Sequence, residues 1–393
     1  TFNRDRPTRF TMMFSIVFLL IGTATGAIND AKMVHYRLRR QAIIANSSNS
    51  WSTSEPIPYF FESGVRAVSA EVRAQILAAI AFWQGSTCLN FKEDTTKTKG
   101  IKFISGNGCF STLGRWPYGT QELSLYNLGC NNMATALHEM EHALGVNHQM
   151  TRLDRDSYLK VHEDRIVAGI VKEYQKKPNT QTFNLPYEYG SVMHYTGGSA
   201  AKVSGQATME AVDKDYQQSM GGQEPSFLDV QIVNLLYKCT TVTCKTQLPC
   251  KNYGYTHPKK CNVCICPEGW GGAYCDQNPT GAVVLTASTN FQTYKIDFGG
   301  AASNVAKSRA HVVNAPAGKR IEVKFPALKT TDMENSCGKN GIEWKGKTDL
   351  RTRGVRFCGW NVPTKSYVSQ GNRAVIMAYY YSGSSTATVQ YRY

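Results

Sequence analysis

The stretch HEMEHALGVNH, residues 138–148, gathers three of the chain's eight histidines into eleven residues. On a helix, His138 and His142 stand four apart and share a face, so two imidazoles can address one metal ion from the same side. Glu139 lies about 100° round the axis. That is wrong for a third ligand of the set, yet within reach of a water on the metal. The helix must end before the chain can return, and Gly145 permits this because glycine takes positive φ without steric cost. His148 then comes back as a third imidazole. Three neutral imidazoles leave a coordination position open, as a catalytic zinc site needs. The bland alternative is a pair of surface or core histidines on an ordinary helix. It must also place Gly145 and His148 at this spacing by chance, which happens in roughly one chain of this size in 10⁵.

The flanking sequence supplies the elements that would hold this motif. Asn131 or Asn132 can cap a helix through MATALHEMEHAL, with Gly145 ending it. Earlier, Ser69 can cap VSAEVRAQILAAIAFW, whose Val72, Ile76, Ile80 and Trp83 share one face and read as core. Ile101–Ser105 and Gln121–Leu128 read as strands. Ser226 opens a third helix, SFLDVQIVNLLYKC, with Asp229 three residues on as a capping-box acid. From residue 280 the pattern changes to short alternating strands (AVVLTAS, RIEVKF, RAVIMAYYYS, TATVQYRY) separated by polar turns, the signature of a β-sandwich. Tyr379–Tyr381 reads as strand rather than binding site.

The chain has 393 residues, enough for two or three domains, and an ordinary apolar and charged content that argues against disorder. Its net charge of +15 is uneven: +5 over residues 1–40, −2 over 41–239, +2 over 240–280 and +10 over 281–393. Near the start, Arg4, Arg6 and Arg9 precede the apolar run Met12–Ile21 and the small residues GTATGA. This reads as a signal peptide over 1–27, with the native start at Met12 or Met13; ten apolar residues are too few for a membrane anchor. RLRR, Arg37–Arg40, matches a convertase site, so 28–40 reads as a pro-segment cut after Arg40 to expose Gln41. Asn46-Ser47-Ser48 is a glycosylation acceptor. The 12 cysteines fit an oxidising compartment and fall into three even groups, which suggests separately stapled units. A zinc ribbon in the dense group would need a second, well-separated Cys-x-x-Cys, which is missing.

HEMEHALGVNHQMTRLDRD, with Arg152, Asp154, Arg155 and Asp156, and the later SVMHY, residues 191–195, resemble the extended motif and Met-turn of the astacin family of zinc endopeptidases, in particular its multidomain members. The resemblance covers residues 41–239. It implies an α+β, metzincin-type catalytic domain with a cleft, and one Zn²⁺ held by His138, His142 and His148. It implies Glu139 as general base, Met193 as an apolar floor and Tyr195 as a hydroxyl that stabilises the oxyanion; His194 is left structural. GCFSTLGRWPYGTQELSLYNLGC is similar to the family's substrate-binding edge strand, which can pair with an extended peptide. The implied disulfides are Cys88–Cys239 and Cys109–Cys130. Residues 240–279 resemble an EGF-like module, implying Cys244–Cys261, Cys250–Cys264 and Cys266–Cys275. Residues 280–393 resemble, less specifically, a CUB domain, with Cys337–Cys358 matching one of its usual bonds. The usual calcium-binding acids are absent from both modules.

Two departures stand out. The family usually carries Glu after the third histidine, facing the buried ammonium of the mature N-terminus; here it is Gln149. The aspartate motif of the usual pro-segment is missing as well. A pyroglutamate formed from Gln41, hydrogen-bonded to Gln149, would replace that ion pair by a neutral contact. The expectation is therefore a secreted zinc endopeptidase acting on extended proteins or peptides, made as a zymogen and glycoprotein. Its basic C-terminal domain is open to acidic matrix polysaccharides, and neither nucleic-acid binding nor membrane anchoring is expected. The alternative is a catalytically inactive relative that acts as an extracellular binding protein.

Overall fold

Five strands form the sheet that carries the first domain: β1 (Ile57–Phe61), β2 (Phe91–Glu93), β3 (Gly100–Ile104), β4 (Phe110–Ser111) and β5 (Thr120–Ser124), in the order β2-β1-β3-β5-β4. These come from a computed structural model that describes residues 48–178, 181–331, 336–360 and 362–393. The expected signal peptide and pro-segment, with Arg40, Gln41 and Asn46, lie outside the described residues. β1, β2, β3 and β5 pair in parallel, and only the edge strand β4 runs antiparallel, against β5. β1 escaped the sequence reading; its IPYFF has no polar alternation to mark it. β3, flanked on both sides, is buried at four of five positions, as central parallel strands are.

Helix Ala70–Ser86 packs on this sheet. Ser69 accepts the Val72 N–H as its cap, and Val72, Ile76, Ile80 and Trp83 are each at most 4% exposed, the face expected from the spacing. Helix Met133–Ala143 is capped by Asn132, whose side chain accepts the Thr135 N–H. Helix Phe227–Leu236 begins at the capping box of Ser226 and Asp229. One apolar cluster joins β1, β3 and β5 to all three helices, with Met193 inside it. Cys88–Cys239 ties the end of the first helix to the end of the domain, a closure worth on the order of 5 kcal/mol in the chain-entropy account.

The cysteine-rich stretch that follows holds little regular structure beyond the ribbon Tyr255–His257/Lys260–Ile265. Cys244–Cys261, Cys250–Cys264 and Cys266–Cys275 staple it, doing what a core of that size cannot. Beyond it stands the β-sandwich. One sheet runs Val283–Thr286, Lys307–Asn314, Arg373–Tyr380, Gly341–Lys345, Val355–Phe357; the other runs Gln292–Gly300, Gly383–Arg392, Glu322–Lys329, Tyr367–Val368. Cys337–Cys358 closes its end.

The sandwich departs from simple alternation in one informative way. Strand Arg373–Tyr380 is buried at six consecutive positions and Gly341–Lys345 at all five. One face of these strands meets the opposite sheet. The other is covered by the rest of the molecule, with Trp270 of the cysteine-rich module packed beside Val312, Val375 and Met377. A second apolar cluster runs without a break from Met150, Tyr187 and Met220 of the first domain into Val323, Phe325 and Ile376 of the sandwich. Among the described residues, no helix is long and apolar enough to cross a membrane.

Candidate metal centre

The helix brings His138 and His142 to one face, and Gly145, at φ +101°, turns the chain just beyond its end. His148 then faces back. Its Nε2 lies 3.2 Å from Nε2 of His138 and 3.1 Å from Nε2 of His142. A tetrahedral ion about 2.0–2.1 Å from each nitrogen would hold them at nearly this separation. Among the described residues these three histidines form the one cluster of potential metal ligands.

The other ring nitrogen of the first two histidines is already engaged. Nδ1 of His138 is 2.7 Å from the Val192 carbonyl and Nδ1 of His142 is 2.8 Å from that of Val146. A carbonyl only accepts, so each Nδ1 carries the proton and each Nε2 turns a lone pair toward its neighbours. Burial is the main cause that pushes all three imidazoles toward the neutral form, with mutual proximity adding to it at His142 and His148. Neutral imidazole is the form that binds a metal. Three nitrogens that converge this closely, at least two of them turning lone pairs toward the shared point, fit a cation, which is the test that the residues present pass for Zn²⁺.

Glu139 sits beside this cluster, 5% exposed, and its Oε2 has no hydrogen-bond partner among the described residues. Burial lifts its carboxyl to about 8, so it is set to take and release a proton near neutral pH. Tyr195 packs against the third ligand, its ring 4.5 Å from that of His148, and burial raises its phenol as well. Met193 is 1% exposed, and its carbonyl accepts the Gln149 N–H at 2.8 Å. Gln149 itself is only half-buried. His194 lies away from the triad, with Nε2 2.9 Å from the Tyr187 hydroxyl and Nδ1 2.6 Å from the Tyr195 carbonyl. Downstream of His148, Arg155 is buried and donates to the carbonyls of Met150 and Tyr174, while Arg152 pairs with Asp154 at 2.7 Å. The loop after the third ligand is therefore held by its own arginines.

The edge strand stands where a substrate strand could add. β4 is the outermost strand of its sheet, and the Gly114 N–H just beyond it donates to the carbonyl of His142 at 2.8 Å. Cys109–Cys130 closes this segment.

Two residues of the site were not legible beforehand. Asp229 read only as a helix cap, but it also holds the Met-turn, accepting Ser191 Oγ at 2.6 Å and the Val192 N–H at 3.0 Å. Nothing local signals this, because the partners are nearly 40 residues apart. Glu141 is fully buried, and neither of its oxygens has a partner among the described residues. Its burial, with the Asp229 charge nearby, raises its carboxyl well above the usual carboxylate range. An acid on the apolar side of a helix was the available signal, and no contact in the structure accounts for it.

A family model described as Astacin (Peptidase family M12A) matches residues 43–238. The chain is 33% identical to zinc metalloproteinase nas-31 of Caenorhabditis elegans over 365 residues, 91% of this chain and 58% of that protein. It is 33% identical to zinc metalloproteinase nas-28 of the same organism over 375 residues, 91% of this chain and 74% of that protein. Among solved structures it is similar to high choriolytic enzyme 1 (HCE-1), a hatching enzyme zinc-protease from Oryzias latipes, at 32% identity and a TM-score of 0.46, covering 49% of this chain and 96% of the other. The chain thus spans little more than half the length of nas-31. With the histidine triad, the Met-turn and an identity maintained across both modules behind them, the chain belongs to the astacin family of zinc metalloproteinases.

Proposed function

We propose that the chain is a secreted zinc-dependent endopeptidase that cleaves extended segments of extracellular proteins. The observation that carries this reading is the convergence of three imidazole nitrogens beside a buried Glu139 whose Oε2 has no partner among the described residues. When bound, Zn²⁺ acidifies water and polarises the carbonyl under attack. Glu139 accepts the proton that the attacking water loses as its oxygen bonds to the scissile carbon. It then delivers that proton to the amine nitrogen as the C–N bond breaks. The Tyr195 hydroxyl donates to the oxygen on which negative charge develops. β4 binds the substrate backbone as an added strand. Secretion is supported by the basic-then-apolar start of the sequence and by disulfide pairing of all 12 cysteines. The active reading is favoured over an inactive relative by the convergence of the three histidines with Glu139 beside them and the Tyr195 ring against His148.

Glu139→Gln tests this in a peptide-cleavage assay run with and without chelator. The variant is expected to fold and bind one zinc but to lose about three orders of magnitude in kcat; activity comparable with the wild type refutes the mechanism.

For a partner, we propose acidic polysaccharides on the sandwich, which carries the net charge of +10. Lys324 and Arg392 flank the Phe291 ring at 4.5 and 4.4 Å, and Lys329 lies 5.0 Å from the exposed Trp360 ring. The full chain should be retained on immobilised heparin at physiological salt and released as salt rises. Elution in the void volume at low salt removes the idea.

A further inference from the structure

We propose that Arg353, in the sandwich, is a positioning residue for the metal centre, clamping the turn that orients His138 so that the sandwich is a working part of the catalytic unit. The proposal rests on the reading of the histidine cluster as a metal site.

Arg353 lies in the loop between strands Gly341–Lys345 and Val355–Phe357. Its backbone N–H donates to Glu188 Oε2 at 3.0 Å, and Glu188, 1% exposed, also accepts the Gly190 N–H at 3.0 Å. The arginine's stem lies directly on Gly190: a Cβ there would come within 2.4 Å of Arg353 Cγ. The guanidinium reaches past the turn to Glu268 of the cysteine-rich module, Nη1 to Oε1 at 2.6 Å. Arg353 therefore joins three parts of the molecule through one side chain.

The far side of the same turn is equally close. A Cβ on Gly222 would sit 2.4 Å from the Gly190 carbonyl. The Gly222 N–H donates to Ser191 O at 2.9 Å and the Gly221 N–H to Tyr189 O at 3.0 Å. That wall is itself held by the sandwich, through the Arg356 N–H to Ser219 Oγ at 3.0 Å and the Cys337 N–H to Gln218 O at 3.0 Å. Residues 188–192 thus run between two surfaces, both set by sandwich residues. Two residues beyond Gly190, the Val192 carbonyl takes the Nδ1–H of His138. A residue that fixes a ligand's outer hydrogen bond commonly governs metal affinity by about 10–100-fold. Arg353 is one step further out, acting through a turn against which its own stem and Gly222 are closely packed.

The experiment uses the full chain with zinc or with Co(II) in its place. Arg353→Ala is compared with Arg353→Lys, which keeps the stem over Gly190 and a cation toward Glu268, and with Lys365→Ala, which breaks the exposed 2.6 Å ion pair to Asp215 without touching the turn. Arg353→Ala should release its metal to a chelator about 10-fold faster, show an altered Co(II) absorption spectrum and lose about 10-fold in kcat with KM within twofold. Arg353→Lys should recover most of each effect, and Lys365→Ala should match the wild type in metal release and spectrum. If Arg353→Ala does not fold, Glu268→Gln frees the guanidinium from its other end and should still speed metal release at least threefold. Wild-type metal release and spectrum in Arg353→Ala, or in Glu268→Gln if that is the variant obtained, overturn the proposal whatever the change in Tm. A wild-type chain that takes up no zinc overturns the metal-centre reading and this one with it, before any variant is compared.

Discussion

His148 meets the other two imidazoles because Gly145 reverses the chain three residues before it. At φ +101° the backbone is in a region that disfavours any side chain. Gly145→Ala is expected to cost about 1–2 kcal/mol in stability and to weaken zinc binding, because relaxing the strain swings His148 off the shared point. Chemical denaturation and zinc titration check both parts; a variant that is destabilised yet binds zinc as the wild type does would separate His148 from the turn. The neighbouring Glu139 owes its character to burial rather than to any partner. Its position was readable from the motif, while its elevated carboxyl depends on the walls that exclude water.

At the level of elements, the helix Phe227–Leu236 and the Met-turn are one construction. Asp229 closes the capping box with Ser226 and uses its remaining capacity on Ser191 and Val192. Asp229→Asn keeps one acceptor oxygen and puts an NH₂ where the second was. With the NH₂ at the Oδ2 position the Val192 and Ser226 N–H groups both lose their acceptor, at about 1.5–3 kcal/mol for a buried bond to a charged group. Because Val192 also holds His138, kcat should fall along with stability. Stability that falls without any change in kcat or zinc affinity would confine Asp229 to the helix cap. By contrast, Asn132 needs no such network: its cap on the ligand-bearing helix is local, exposed and legible from MATALHEMEHAL.

Across the whole molecule, the sandwich meets the rest through apolar surface and the Arg353–Glu268 pair, and it carries a buried charge group of its own. Glu343 is fully buried between Arg356, at 3.0 Å, and Lys345, at 3.7 Å, and accepts the Gly354 N–H at 2.7 Å. Burial alone would raise its carboxyl; the cations Arg356, Lys345 and Arg353 outweigh that and hold it at about 2. An unfolded glutamate titrates near 4.3. The folded value is the lower one, so the stabilisation is present above about pH 4.3 and is lost as the pH falls toward 2. Glu343→Gln leaves the cations uncompensated and should cost about 3–5 kcal/mol at neutral pH. Denaturant unfolding at a series of pH values should show the gap to wild type closing on acidification. A gap that stays constant would mean that Glu343 is not the group titrating.

The sequence alone determined whatever is encoded within a helical turn or two, or in a short alternating run. The three histidines with Glu139 beside them come from a spacing of four residues and a glycine; the helix starts come from Ser69, from Asn131 or Asn132, and from Ser226. The sandwich follows from strands such as TATVQYRY, whose inward residues are spaced by two. Tertiary structure decided what depends on partners distant in the chain. β1 became a strand because β2 and β3 flank it, not because IPYFF alternates. Strand Arg373–Tyr380 is buried on both faces because a neighbouring module covers the face that alternation would leave wet. Asp229 acquired its second role, and Glu188 and Gly190 met Arg353, across separations of 37 to more than 160 residues. A hydrogen bond or a close approach between such residues leaves no local pattern. It exists only once the chain has folded and brought them together.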